Sequence, residues 1–248
     1  MSGHSKWASI KHKKGAADAK RGKVFTMHAK LITIAAAGGG DPDMNPALRG
    51  AIDRAKADNV PNLNIDRAIK KGTGEDKDAA NYEEITYEAM GPGGSAFMID
   101  IITDNKNRSL TNVKTAVNKN GGTFGSSVAW KFDKKAYLLV DSAGKDPEEA
   151  ELELIDCGAD DLVDAGEGKF ELYADAGKCF EIKKAAEAAG FKVEKDELVW
   201  KGKDELKVDD AELAKKIVRL MEAIDEDEDV SQVSSDVDFD ESVLASLG

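Results

Sequence analysis

The residues with the clearest chemical potential are the cations near the start of the chain. Eight lysine and arginine side chains occur in the first thirty residues, where Asp18 is the single acid. Two aromatic residues, Trp7 and Phe25, are interleaved with them. Cationic side chains bind phosphate, and aromatic rings stack on unpaired bases. We therefore predict a nucleic-acid-binding segment formed by Lys6, Trp7, Lys11, Lys13, Lys14, Lys20, Arg21, Lys23 and Lys30.

A second group of cations lies in a later segment whose apolar residues have helical spacing. Arg67, Lys70 and Lys71 occur there, preceded by Asn62 and Asn64. Arginine and asparagine can read base edges in the major groove of duplex DNA, whereas lysine contacts phosphate as a point charge. We therefore add Arg67, Lys70 and Lys71 to the predicted nucleic-acid-binding residues.

Three other interpretations account for a basic segment of this kind. A solvated basic tail without a partner needs only the charges. A mitochondrial transit peptide is typically rich in arginine, whereas this stretch has Arg21 among seven lysines. A segment lying on an anionic membrane needs a continuous apolar face, which is missing here. Nucleic-acid binding uses both the cations and the aromatic rings, and we expect no membrane partner.

The chain offers little for catalysis or metal binding. Its three histidines, His4, His12 and His28, all lie in the basic segment, without cysteine or carboxylate at metal-ligand spacing. No serine, cysteine or lysine has a recognisable base partner, and no nucleotide-cofactor signature occurs. We therefore predict a protein that is not an enzyme and has no cofactor and no metal. A hydrolase acting in a cleft between domains stays as a remote alternative.

The distribution of charge separates the chain into two parts. The net charge is −13, but residues 1–72 contain 14 basic and 6 acidic side chains, a net charge of +8. The remaining residues contain 21 basic and 42 acidic side chains, a net charge of −21. Because screening acts over roughly 8 Å at physiological salt, a distant acidic part need not prevent a basic module from binding nucleic acid. The acidic part is a candidate for contact with a protein partner.

The composition favours a cytoplasmic protein. Hydrophobic residues make up 41% of the chain, yet no apolar run approaches the roughly 18 residues that a membrane span needs. The first residues lack the apolar core of a secretion signal. Cys157 and Cys179 are the two cysteines, too few to indicate a disulfide framework.

Three helices are predicted to position the cations. The spacing of Val24, Met27 and Leu31 predicts a helix over about 16–37. The second helix begins with Asn45 as its N-cap and Pro46 in its first turn. The third follows a proline and ends near residue 72, where glycine is typical. Residues 1–77 are thus predicted to form a basic N-terminal domain, in which a three-helix bundle follows a basic arm that we expect to be mobile when unbound.

The rest of the chain alternates strands and helices. Strands are predicted at 83–90 and 95–103, joined by Gly91-Pro92-Gly93-Gly94 as a type II turn. A helix with Leu110, Val113 and Val117 on its buried face follows, and then a strand at 127–132. Further along, the order of elements up to about residue 200 is the βαββαβ of ferredoxin-like folds. An amphipathic helix near 213–224 and a short strand at 230–234 complete the pattern.

We therefore predict an α+β fold with three domains. The helical bundle occupies residues 1–77, and a ferredoxin-like α/β sandwich occupies 78–133 together with 206–248. A second ferredoxin-like domain, at 134–205, is inserted into the first one. In this arrangement the basic domain would bind nucleic acid, while the two acidic domains would lie further along the chain.

Several motifs, taken together and in order, give the chain a specific resemblance. They are Gly3-His4-Ser5-Lys6-Trp7 with Ile10-Lys11-x-Lys13-Lys14, then Asn64-Ile65-x-Arg67-Ala68-Ile69-Lys70-Lys71-Gly72, then Gly91-Pro92-Gly93-Gly94 and Asp104-Asn105-x-Asn107-Arg108. The chain resembles the YebC family over its whole length; Ser109 stands where many members have threonine, and both residues keep a hydroxyl. The resemblance implies three domains around a cleft, with the last inserted into the second. It also implies a non-catalytic regulator.

Two hypotheses about the nucleic acid remain open at this point. The resemblance is compatible with a DNA-binding transcriptional regulator and with a ribosome-associated translation factor. A regulator on duplex DNA would use Arg67 and its neighbours for readout in the major groove. A translation factor would use the lysine-rich arm on ribosomal RNA, since a long arm reaches crevices of folded RNA that a rigid domain does not. Shape and charge favour RNA.

Overall fold

The computed structural model describes residues 17–76, 81–240 and 242–243, with side chains from residue 21 onward. Its elements alternate between helices and antiparallel sheets, so the predicted α+β class is confirmed. Buried hydrophobic residues form three main clusters, one for the helical bundle and one for each sheet with its helices. The domain limits remain predictions.

The helical bundle consists of α1 (Ala17–Ala36), α2 (Pro46–Ala57) and α3 (Asn62–Gly72). As predicted, Asn45 is the N-cap of α2, and its side-chain oxygen accepts a hydrogen bond from the Leu48 backbone N–H at 3.1 Å. A Cβ on Gly72 would lie 2.3 Å from the Thr33 carbonyl oxygen. Only glycine therefore allows the end of α3 to pack this closely against α1.

The second domain is a four-stranded sheet with two helices against one face. Its elements are β1 (Glu83–Met90), β2 (Ala96–Thr103), α4 (Lys106–Lys119), β3 (Thr123–Phe124), β8 (Leu206–Val208), α7 (Ala211–Asp225), β9 (Val230–Ser235) and β10 (Val237–Phe239). The strands of this sheet lie in the order β3-β1-β2-β9. The parallel pair of β8 and β10 was not predicted. In the turn after β1, Gly93 has φ of 69° and ψ of 11°, close to the values that a type II turn requires.

The strand predicted at 127–132 is wrong. Residues 129–131 form a single 3₁₀ turn, and the next strand begins at Phe132. The backbone N–H groups of Val128 and Ala129 both donate to Glu88 Oε2, at 2.6 and 2.7 Å. One carboxylate oxygen thus takes two donors that a strand would have used in its ladder.

The buried face of α4 also differs from the prediction. Val113 and Val117 are buried as expected, but Leu110 is 37% exposed and Ser109 is fully buried. Residues 109, 113 and 117 are four apart and therefore lie on one face of the helix. A buried serine needs hydrogen-bond partners, and it finds them at the junction with the helical bundle, described below.

The inserted domain has the βαββαβ order that the sequence predicts. Its elements are β4 (Phe132–Asp141), α5 (Pro147–Asp156), β5 (Asp161–Gly166), β6 (Lys169–Asp175), α6 (Cys179–Ala188) and β7 (Lys192–Gly202). The strands pair antiparallel in the order β5-β6-β4-β7, and both helices pack on one face. Arg54 of α2 lies 3.5 Å from Asp196 of β7, so the helical bundle approaches this domain as well as the second one.

Candidate nucleic-acid interface

The predicted binding residues divide into those inside and those outside the described part of the chain. Lys6, Trp7, Lys11, Lys13 and Lys14 lie outside the described residues. Lys20 belongs to α1 by its backbone, but its side chain is also outside the described part of the chain. The predicted residues with described side chains are Arg21, Lys23, Lys30, Arg67, Lys70 and Lys71.

Helix α3 presents three of these cations to solvent. Arg67, Lys70 and Lys71 are all exposed, and none of them forms an ion pair with another residue of the described ranges. Lys70 and Lys71 occupy the last turn, where the carbonyl end of the helix dipole favours positive charge. These three side chains are therefore available to an anionic ligand.

Arg21 is exposed near the start of α1 but lies far from the α3 cations. The end of α3 contacts α1 at Thr33, twelve residues further along the helix. At 1.5 Å per residue, Arg21 is about 18 Å from that contact along the axis of α1. The structure therefore groups Arg67, Lys70 and Lys71 but leaves Arg21 at a separate place.

Lys30 differs from the prediction, because its ammonium group is used inside the protein. The residue is 5% exposed. Its Nζ donates to the Ile102 and Glu228 carbonyl oxygens, both at 2.9 Å, and to Asp229 Oδ1 at 2.7 Å. All three ammonium protons thus have partners in the second domain, and we exclude Lys30 from the nucleic-acid interface.

Lys23 lies on the same stripe of α1 and also contacts the second domain. Its Nζ donates to the Asp225 backbone carbonyl and lies 3.4 Å from Asp225 Oδ1. Lys23, Met27, Lys30 and Ile34 are spaced so that they share one face of the helix. This spacing groups Lys23 and Lys30 on one face of α1, and that face packs against the second domain of the same chain.

Asp229, which the sequence analysis did not single out, is the centre of this junction. Its Oδ1 atom accepts from Lys30, while Oδ2 accepts from Ser109 Oγ and Arg108 Nη2, both at 2.7 Å, and from Thr103 Oγ1 at 3.0 Å. Arg108 also donates to Asp104 Oδ1 at 2.8 Å. One carboxylate therefore links α1, β2 and α4, and Arg108 of the Asp104–Arg108 motif is one of its donors.

The protonation of the junction follows from these contacts. Burial alone would raise the pKa of Asp229, but the hydrogen bonds from Lys30, Ser109 and Arg108 outweigh burial and hold its pKa well below the usual range. The hydrogen bonds to Asp229 and Asp104 raise the pKa of Arg108. Burial, helped by the negative charge of Asp104, raises the pKa of Tyr82. At neutral pH Asp229 and Arg108 are therefore both charged, and the phenol of Tyr82 is neutral.

The groove between α2 and α3 mixes charges of both signs. Arg49, Lys56 and Asn62 line it together with Asp53 and Asp66. The guanidinium of Arg49 donates to the nearby carbonyls of residues 42 and 43. Because the carboxylates oppose phosphate, this groove is a poorer site for a nucleic-acid backbone than the exposed end of α3.

The described residues also bear on metal binding and on membrane insertion. Over 17–76, 81–240 and 242–243, no group of three histidine, cysteine or acidic side chains has the geometry to hold a metal ion. Within the same residues, no helix combines the length and the apolar character needed to cross a membrane.

Comparisons with known proteins give the same family over both halves of the chain. The family model "TACO1/YebC protein N-terminal domain" matches residues 5–75, and "TACO1/YebC second and third domain" matches residues 82–237. A "probable transcriptional regulatory protein" of Desulforapulum autotrophicum is 46% identical, with all of both chains covered. One of Geobacter sulfurreducens is 45% identical, with 96% of each chain covered.

The fold is also similar to a solved structure. The crystal structure of a conserved hypothetical protein from Aquifex aeolicus has a TM-score of 0.84 and 38% sequence identity. The match covers 94% of this chain and 96% of that one. The arrangement of helices and sheets described above is therefore shared by a protein whose structure was determined by experiment.

Proposed function

Because the chain belongs to the TACO1/YebC family, we propose that it is a non-catalytic regulator of gene expression that binds folded ribosomal RNA in the cytoplasm. Relatives with about 45% identity carry the name "probable transcriptional regulatory protein", which supports the role of a regulator. The charged side chains of the helical bundle bear on whether this nucleic acid is RNA or DNA.

The single observation that carries the proposal is the difference between the cations of α3 and those of α1. Arg67, Lys70 and Lys71 are exposed without ion pairs in the described part of the chain, whereas Lys23 and Lys30 hold α1 on the second domain. The folded bundle thus has few cations to offer. Half of the basic excess of residues 1–72, +4 of +8, belongs to the first twenty residues, whose cations are all lysines. Lysine meets phosphate as a compact point charge, and this contact does not depend on base sequence.

Such a charge distribution suits binding to folded RNA better than sequence-specific binding to duplex DNA. A basic arm can follow the phosphates of an RNA crevice, while the end of α3 adds a second point of contact. Affinity of this kind depends on counterion release and falls steeply with salt. The two acidic domains have a net negative charge that opposes a general affinity for nucleic acid, and their acidic surfaces are available to a protein partner.

A second candidate, a regulator on duplex DNA, is favoured by the names of the relatives. In this case α3 would enter the major groove, with Arg67 reading a base pair and Asn62 or Asn64 beside it. The exposed Asp66 on the same short helix opposes the approach of phosphates. For this reason we rank the duplex below folded RNA.

One experiment separates the two candidates. Purified protein is sedimented with 70S ribosomes at moderate salt, and the same preparation is titrated against short DNA duplexes of varied sequence. We expect co-sedimentation that is lost when residues 2–20 are removed, and weak duplex binding that is indifferent to sequence. Changing Arg67 to alanine should then have no effect on preference among duplexes. Selective duplex binding that this variant relaxes by about 1–3 kcal/mol at one base pair, without ribosome association, would overturn the RNA proposal.

A further inference from the structure

One stretch of the second domain is free of acidic residues. Residues 105–132 contain no aspartate or glutamate, although 48 of the 248 residues of the chain are acidic. The same stretch contains five cations, namely Lys106, Arg108, Lys114, Lys119 and Lys131. In a chain with a net charge of −13, a run of this length without a carboxylate is a local reversal of the charge pattern.

Helix α4 occupies the first half of this stretch and turns a polar face to solvent. Its opposite face, with Ser109, Val113 and Val117, is buried against the sheet. Asn107, Thr111, Lys114 and Asn118 are all exposed and are spaced four, three and four residues apart, so they form one stripe along the helix. Lys119 is exposed in the last turn.

Two of the five cations form no ion pair within the described part of the chain. Lys106 lies 2.5 Å from Glu83, Arg108 binds Asp229, and Lys131 lies 2.5 Å from Asp236. Lys114 and Lys119 form no ion pair within the described ranges. At the side of the stripe, the Asn112 amide donates a hydrogen bond to Asp227 Oδ2 at 2.8 Å.

We propose that this α4 surface, formed by Asn107, Thr111, Lys114, Asn118 and Lys119, is an additional contact site for the sugar–phosphate backbone of RNA, besides the arm and the end of α3. The two ammonium groups pair with phosphates, and the amide of Asn107 donates to phosphate oxygens. The Thr111 hydroxyl donates to the Asn107 carbonyl at 2.8 Å. It therefore presents its oxygen as an acceptor, which suits a ribose 2′-hydroxyl.

The junction at Asp229 places this surface in a fixed relation to the helical bundle. Ser109 and Arg108, in the first turn of α4, bind the carboxylate that also binds Lys30 of α1. One RNA molecule can thus contact the bundle and α4 together, without the cost of ordering two loosely linked domains. The inference rests on the proposed function, because it deepens the same RNA-binding role.

The test is a double variant, Lys114→Gln with Lys119→Gln, in the full chain. Binding to a fluorescein-labelled 30-nucleotide RNA hairpin is followed by anisotropy over a series of salt concentrations. Each lost phosphate contact should reduce the salt slope by about 0.7–0.9, so the double variant should lose about 1.4–1.8 and bind roughly tenfold more weakly at low salt. Both positions are exposed, so the melting temperature should stay the same.

A matched control removes the same charge elsewhere. Lys178 and Lys184 are exposed in the inserted domain, and their change to glutamine should leave the slope and the affinity almost unchanged. An α4 variant that binds like the wild type, or a control variant that loses as much as the α4 variant, would overturn the α4 site but not the proposed function. A wild-type protein that binds neither this hairpin nor ribosomes would overturn both.

Discussion

Changing Lys30 to methionine tests whether this residue is a structural link or a ligand for nucleic acid. The substitution keeps an unbranched side chain with as many heavy atoms as the aliphatic part of lysine, and it removes the ammonium group. In the structure that group makes three hydrogen bonds of 2.7–2.9 Å. The side chains of Lys30 and Asp229 are each only 6% exposed, so water cannot replace the lost donor easily.

The expected cost can be worked out from the contacts that remain. Removing one partner of a buried ion pair typically costs about 3–5 kcal/mol, because the other charge stays buried without compensation. Here Asp229 keeps its hydrogen bonds to Arg108, Ser109 and Thr103. We therefore expect the lower end of that range, about 3 kcal/mol, mostly as a loss of docking between α1 and the second domain.

Urea denaturation followed by circular dichroism at 222 nm measures this loss. With a slope of about 1–3 kcal/mol per molar urea, the midpoint should fall by roughly 1–3 M. Lys70→Met is the matched control, since Lys70 is exposed and should change stability by less than about 0.5 kcal/mol. The salt slope of RNA binding should be the same for Lys30→Met and for the wild type. Wild-type stability combined with a reduced salt slope would refute the structural role.

Three further predictions concern the same junction and the packing of the bundle. The pKa of Asp229 is lowered in the folded protein. The stabilisation that ionised Asp229 contributes is therefore complete above about pH 4 and is lost as the pH falls below that value. In a pH series of urea titrations, the difference in unfolding free energy between the wild type and Asp229→Asn should shrink over that acidic range. Ser109→Ala removes a donor to a buried carboxylate and should cost about 1–3 kcal/mol, whereas Ser109→Thr, which keeps the hydroxyl, should recover most of that stability in the same assay. Gly72→Ala would place a Cβ 2.3 Å from the Thr33 carbonyl oxygen and 2.6 Å from Ala36 Cβ. The free energy of unfolding should therefore fall by about 1–3 kcal/mol, with a lower melting temperature. An unchanged melting temperature would show that α1 and α3 pack less closely than described.

The sequence by itself determined the features that depend on neighbouring residues. The N-cap at Asn45 and the turn at Pro92 and Gly93 follow from residue types with strong local preferences. The βαββαβ order follows from the alternation between periods of two and of 3.6 residues. The segregation of positive charge at the start of the chain is likewise a property of the sequence.

The tertiary structure decided which of the cations are available. Lys30 and Arg67 are equally basic in the sequence, but Lys30 meets partners that are 72, 198 and 199 residues away. No local pattern of residues encodes those distances. The strand predicted at 127–132 failed for the same reason, since its backbone donors are taken by Glu88, some forty residues earlier. Periodicity reports which face of an element is buried, but only the packed fold supplies the carboxylate or carbonyl oxygen against which a charged side chain comes to lie.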